Sequence, residues 1–185
     1  DKLSDKDTLY VSYRKGQRSA KGFLDDYANE AFALLALYEA TLDSAYLDKA
    51  RQFCNKAISD FYDEEQGGFF LYGRENEQLV LRPKETYDGA VFSGNSAMAY
   101  NIVQLYYITG EKRFGDLAGR QLHFMGGEAA HYPAGHAMFL IALGDYVDPP
   151  QKITVVVKDM QDIAALPCRV SLNTVVQVLK NPTEE

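Results

Sequence analysis

Along residues 24–42 (LDDYANEAFALLALYEATL) apolar side chains occupy almost the whole circumference after the first turn, the pattern of a helix covered on several sides. The next stretch differs. In residues 44–63, Tyr46, Leu47, Ala50, Phe53, Cys54, Ala57, Ile58 and Phe61 recur at helical spacing, opposite Asp48, Lys49, Arg51, Gln52, Asn55, Lys56 and Ser59. That predicts a half-exposed helix packed on the first. The pair then recurs: Ala31, Leu34, Leu35, Leu37, Tyr38, Thr41, Tyr46 and Ala50 align with Ala99, Ile102, Val103, Leu105, Tyr106, Thr109, Phe114 and Ala118. The buried half appears a third time as Ala137, Leu140, Ile141 and Leu143. A buried-then-amphipathic helical hairpin cannot hide its apolar face alone and must stack on neighbours.

Two segments break this helical rhythm. GGFFLYGRENEQLVLRP, residues 67–83, holds the β-prone runs FFLY and LVLR around a polar turn and reads as an inserted β-hairpin. Near the start, LYVSYR reads as a strand, with Lys15-Gly16 as its turn. After Pro149-Pro150 the pattern changes to a strand (KITVVV, 152–157), a short helix (MQDIAAL) and a second strand (TVVQVL, 174–179). Two regions follow: a helical-hairpin domain, 1–148, and a small α/β appendage, 149–185. The fold class is mainly α, a partial α/α toroid in which inner helices ring an axis and outer helices wrap them. Two hairpins and a fifth helix make about half of a six-hairpin barrel. Its open half needs a cover, either further residues of a longer protein or a second copy of the chain.

Composition narrows the partners. Of 185 residues, 46% are apolar and 24% charged, as in an ordinary globular domain. A net charge of −7 and pI near 5.0 provide no electrostatic footprint for nucleic acid or an anionic membrane surface. The apolar runs AFALLALY (31–38) and AMFLIAL (137–143) are too short to span a bilayer. DKLSDKDTLY lacks an initiator Met and the layout of a signal peptide, so it reads as an internal stretch of a longer protein. Cys54 and Cys168 form no C-x-x-C pair, which points to a reducing, cytoplasmic compartment; Cys54, on the apolar stripe, reads as a small hydrophobe.

GFLDDYA (22–28), YDEEQGGFF (62–70), RPKETYDGAVFSGNSA (82–97) and PPQKITVVV (149–157), in that order, resemble the C-terminal half of thioredoxin-domain-containing proteins of the YyaL and spermatogenesis-associated protein 20 type. The resemblance implies an N-terminal thioredoxin-like domain outside this chain. It further implies a six-hairpin toroid similar to N-acylglucosamine 2-epimerases and six-hairpin glycosidases. It supplies a fold and a direction toward carbohydrates, without a reaction, and the redox chemistry of the absent domain does not carry over.

If the inner helices run parallel, their N-termini meet at one end. Asp25-Asp26-Tyr27, Ser93-Gly94-Asn95 and His131-Tyr132-Pro133 then share a mouth with unpaired helix N–H groups. The hairpin at 67–83 would bring Arg82 and Lys84 to the rim, with Phe70 and Tyr72 as walls. Asp26 and Asp88 are the candidate catalytic pair for glycoside hydrolysis, one acid and one base or nucleophile. A sugar 2-epimerase would instead need a base, and His131 and His136 are placed for it. Asp25, Tyr27, Arg82, Lys84, Glu85, Ser93, Asn95, His131 and His136 complete the candidate binding set. Each has a plainer alternative: Ser93 or Asp25 as a helix cap, leaving Asp26 free, and Asp88 as a turn former. His123 belongs to an outer helix and is set aside. No metal constellation, phosphate loop or nucleophile elbow appears, so neither metal nor cofactor is expected. Two functions remain: a carbohydrate-binding domain that hydrolyses or isomerises its ligand, or a non-catalytic scaffold for the upstream thioredoxin-like domain.

Overall fold

A computed structural model describes residues 2–74, 76, 81–159, 162–163 and 173–180. Five helices dominate it: α1 (Leu24–Thr41), α2 (Ser44–Phe61), α3 (Gly94–Thr109), α4 (Lys112–His131) and α5 (Ala137–Val147). α1, α3 and α5 form one layer, and α2 and α4 pack outside it against α1 and α3. The burial follows the sequence pattern in α2, α3 and α4, whereas α1 and α5, expected to be covered, leave Leu37, Leu140 and Ile141 exposed because each is packed by a neighbouring inner helix on one side only. In α3 only Tyr100, Tyr106, Tyr107 and Thr109 escape full burial, whereas α2 and α4 hide one stripe each.

The internal repeat extends to the helix ends. Thr41 and Thr109 each donate their hydroxyl to the carbonyl four residues back, Leu37 at 2.7 Å and Leu105 at 2.6 Å. Each then accepts the N–H two residues on, from Asp43 and Glu111, both at 3.2 Å. Between them Leu42 and Gly110 adopt the left-handed conformation that stops the helix, with φ 57° and 73°. One local chemistry therefore turns the chain into the outer helix twice.

Four short strands precede α1: β1 (Ser4–Asp5) with β2 (Thr8–Leu9), and β3 (Tyr13–Arg14) with β4 (Gln17–Arg18), each pair antiparallel. Lys15-Gly16 is the expected turn, both residues at positive φ (49° and 84°) as a tight hairpin requires. The single strand expected from LYVSYR is instead divided between the two hairpins, because Tyr10 bridges to Lys21 and redirects the chain. The expected hairpin at 67–83 is also altered. Phe69 bridges Tyr62 at the end of α2, and Phe70 N–H donates to Phe61 at 2.9 Å. Gly67 and Gly68, at φ 74° and 75°, make that earlier turn; a Cβ on Gly68 would lie 2.4 Å from Phe124. The two arms meet where Leu71 N–H donates to Pro83 at 2.8 Å, and residues 75 and 77–80 between them lie outside the described residues.

β5 (Gln151–Val157) and β6 (Thr174–Lys180) pair in parallel. The expected helix MQDIAAL and Cys168 fall outside the described residues, save Asp162 and Ile163. Tyr38 ties this sheet to the helices: its hydroxyl donates to Val176 at 2.8 Å and accepts from Val178 N–H at 3.3 Å.

Candidate functional site

The leading ends of α1, α3 and α5 do meet. Asp88 joins two of them, one carboxylate oxygen accepting from Ser93 N–H ahead of α3 and the other from Met138 N–H in α5, both at 2.9 Å. Asp25 joins the third, its carboxylate accepting from Gly94 N–H. The approach is so close that a Cβ on Gly94 would stand 2.4 Å from Asp25 Oδ1. The three inner helices are thus parallel, with one polar mouth.

Much of the chemistry gathered there holds the backbone in place. Ser93 is the N-cap of α3, its hydroxyl accepting from Ser96 N–H at 3.1 Å. Asn95, fully buried, acts as a strand would: it accepts from Phe69 N–H at 2.8 Å and donates to the carbonyls of Phe69 and Glu85 at 2.9 and 2.8 Å. The pocket-facing role expected of it is replaced by this anchoring. Tyr27 is likewise internal, its hydroxyl accepting from Leu9 N–H at 3.0 Å while its ring packs on Phe53 and Phe61. Arg82 and Lys84, expected at the rim, fold inward. The Arg82 guanidinium lies 3.9 Å from the Phe70 ring centre and donates to Tyr72 at 3.0 Å. Lys84 donates to Asp63 and to the Gly67 carbonyl, both at 2.7 Å, between the rings of Phe70 and Phe124. Lysine holds the Asp63 carboxyl below its ordinary range.

The two adjacent aspartates exchange the duties expected of them. Asp26, exposed, closes the first turn of α1 by accepting from Phe23 N–H at 2.8 Å. Asp25 turns toward α3, and burial, reinforced by Glu85 and Asp26, raises its pKa against the Gly94 hydrogen bond. The candidate pair Asp26 and Asp88 therefore consists of two carboxylates bound by backbone N–H groups, while the half-buried Asp25 feels the charge of the exposed Glu85. His131, exposed, contacts Gly127 O at 2.7 Å. His136 is buried, with Nδ1 2.8 Å from Tyr132 O and Nε2 without a partner among the described residues. Beside it the exposed rings of Tyr87 and Tyr132 stack in parallel, 6.3 Å between centres.

From the mouth an aromatic ladder, Phe92, Phe32 and Tyr100, runs along α1 and α3, with successive rings 5.5 and 5.4 Å apart. It leads to a cleft that sequence reasoning missed. Tyr38, Glu39, Tyr100, Gln104, Asp145 and the start of β6 line a cavity of about 260 Å3. Burial raises the pKa of Glu39, with Asp145 adding to it, and burial also raises that of Asp145 against a 2.8 Å hydrogen bond from Gln104. Only the repeat register could have brought Glu39 and Asp145 together, since they share no local motif.

No family model matches the chain. Spermatogenesis-associated protein 20 of Homo sapiens is 41% identical over 96 residues, 51% of this chain and 12% of that protein. The Rattus norvegicus protein of that name is 40% identical over the same length, and uncharacterized protein B0495.5 of Caenorhabditis elegans 29% identical over 106 residues, 57% of the chain. The matched segment thus spans about an eighth of the human and rat relatives. Across half its length, the chain is homologous to spermatogenesis-associated protein 20.

Proposed function

We propose that this chain is an arc of an α/α toroid whose mouth binds a carbohydrate-like ligand, with Asp25 as the proton-donating carboxyl and Glu85 as its charge partner. The observation that carries this reading is the approach of a half-buried Asp25, its pKa raised by burial, to Glu85 at the end of the fold that also presents the exposed Tyr87–Tyr132 stack. A carboxyl whose pKa burial raises holds its proton to higher pH and can protonate a leaving oxygen, and flat aromatic faces suit the apolar face of a sugar ring. His136 Nε2, buried and unpartnered, adds a base for the isomerase variant of this chemistry.

The ring itself is supported by burial compared across the repeat. Leu34 and Ile102 are buried, but their counterpart Leu140 is 39% exposed. Leu35 and Val103 are buried, and Ile141 is 54% exposed. Conversely Leu105 is buried, and Leu37 in α1 is 44% exposed. Each end of the layer exposes the surface that a neighbour covers in the middle. The same surfaces favour the second reading, a scaffold packed against another domain of a longer protein.

A thermal-shift panel of mono- and disaccharides separates the two. Stabilisation by a sugar that persists in Asp26→Asn and disappears in Asp25→Asn supports the binding site. No shift across the panel, or an equal shift in all three proteins, removes it.

A further inference from the structure

The parallel inner helices have a second end, where their dipoles present the opposite sign. The cavity of about 260 Å3 lies there, walled by the last turns of α1, α3 and α5 and roofed by Asn173–Val176. Helix C-termini present unpaired carbonyls and a negative partial charge, so a carboxylate in a last turn is unfavourable and a cation favourable. Against that gradient, Glu39 occupies the last turn of α1 and Asp145 the last turn of α5; the Asp145 charge acts on Glu39, and both act on Tyr100. Tyr100 and Tyr38 supply ring surface, Tyr100 retains its phenolic proton, and Leu42, Ile108, Pro150 and Val175 make the remaining wall apolar.

Among the described residues, few charged and titratable groups face this space. Glu39 is faced by Asp145 and Tyr100, and Asp145 by Tyr100, Tyr107 and the Gln104 amide. Lys152 of β5 approaches Gly110 at the end of α3 and is not among the charges acting on either acid. Among the described residues no group of three or more His, Cys, Asp or Glu gathers as a metal would require. Two carboxylates, a tyrosine face and an apolar wall suit an ammonium group carried on a short hydrocarbon body.

We propose that the cleft between the C-terminal ends of α1, α3 and α5 and strand β6 binds a small organic ammonium cation, held between Glu39 and Asp145. The site is separate from the mouth and does not depend on the carbohydrate reading. Glu39 is exposed and Asp145 half-buried; a positive charge bound beside both lowers their proton affinity, so binding releases protons in the pH range where they are partly protonated.

Calorimetric titration with 1,4-diaminobutane tests this, with 1,4-butanediol as neutral isostere and magnesium chloride as inorganic cation. The expected result is saturable binding of the diamine, none of the diol, and no displacement by magnesium at equal concentration. Glu39→Gln and Asp145→Asn each weaken binding about tenfold or more. Titration in two buffers of different ionisation enthalpy, repeated through the acidic range, shows proton release. Both variants relieve like-charge repulsion, so their thermal midpoints at pH 7 equal or exceed that of the parent, which separates lost binding from lost folding. Absence of diamine binding, equal binding of the diol, displacement by magnesium, or unchanged affinity in both folded variants overturns the proposal.

Discussion

At the scale of single residues, polar groups here are spent mainly on backbone donors, and the exceptions carry the functional case. Gly94 shows how tight the arrangement is. At the start of a helix, Gly→Ala ordinarily stabilises by up to about 1 kcal/mol. Here the new Cβ would meet Asp25 Oδ1 at 2.4 Å and Leu24 at 2.8 and 2.9 Å. Gly94→Ala is therefore expected to destabilise by about 1–3 kcal/mol, read as a lowered urea midpoint at unchanged slope. Asp25 and Asp63 make opposite contributions to pH dependence. Asp63, lowered by Lys84, stabilises above its unfolded pKa, and that stability is lost as pH falls through its folded value. Asp25, raised by burial, keeps its proton longer in the native state, so stability declines as pH rises from about 4 through its folded value. Asp25→Asn keeps an acceptor for Gly94 while removing that decline. Denaturation midpoints of variant and parent should diverge in the variant's favour as pH rises above about 4; parallel curves would contradict the assignment.

At the scale of elements, helices were legible and their connections only partly. The two buried-then-amphipathic pairs follow from apolar spacing, because period 3.6 survives any tertiary context that covers one or all faces. The repeat even announces Thr41 and Thr109, although their shared duty, closing one helix and starting the next, belongs to hydrogen bonding that spacing does not encode. The 67–83 segment misleads because β-prone runs say nothing about which backbone they pair with. The end of α2, at Phe61 and Tyr62, and the Asn95 side chain supply the partners instead. Asp88 and Asp26 illustrate the same limit for the site, since a carboxylate before a helix looks alike in sequence whether it binds a ligand or an N–H. Asp88 clamps α3 to α5 through both oxygens, so Asp88→Asn turns one acceptor into a donor facing a backbone N–H. The expected cost is about 1–3 kcal/mol, with faster amide exchange at Met138. An unchanged midpoint would show that the clamp carries no load.

At the scale of the whole molecule, parallel inner helices create two chemically distinct ends, and the small sheet sits at only one of them. Sequence separation hides this. Tyr38 reads as one more aromatic in a buried helix, yet its hydroxyl is the link between the helical layer and a strand near the other end of the chain, donating to Val176 and accepting from Val178. Much of the remaining attachment is apolar, through Val175 in the main core and Leu42 against Val157 and Ile163. Removing the hydroxyl leaves the carbonyl of Val176 and the N–H of Val178 without this partner while the ring still fills its site. Tyr38→Phe should therefore cost about 1–2 kcal/mol, and the cost should be distributed unevenly. Hydrogen exchange in residues 174–180 is expected to accelerate, while the centre of α3, enclosed by α1, α4 and α5, stays protected to the limit of global unfolding. Because the strand roofs the acidic cleft, the same variant should weaken diamine binding without altering Glu39 or Asp145. Uniform acceleration across helices and strand would instead mean that sheet and helical layers unfold as one cooperative unit, with the tyrosine contributing to global stability alone.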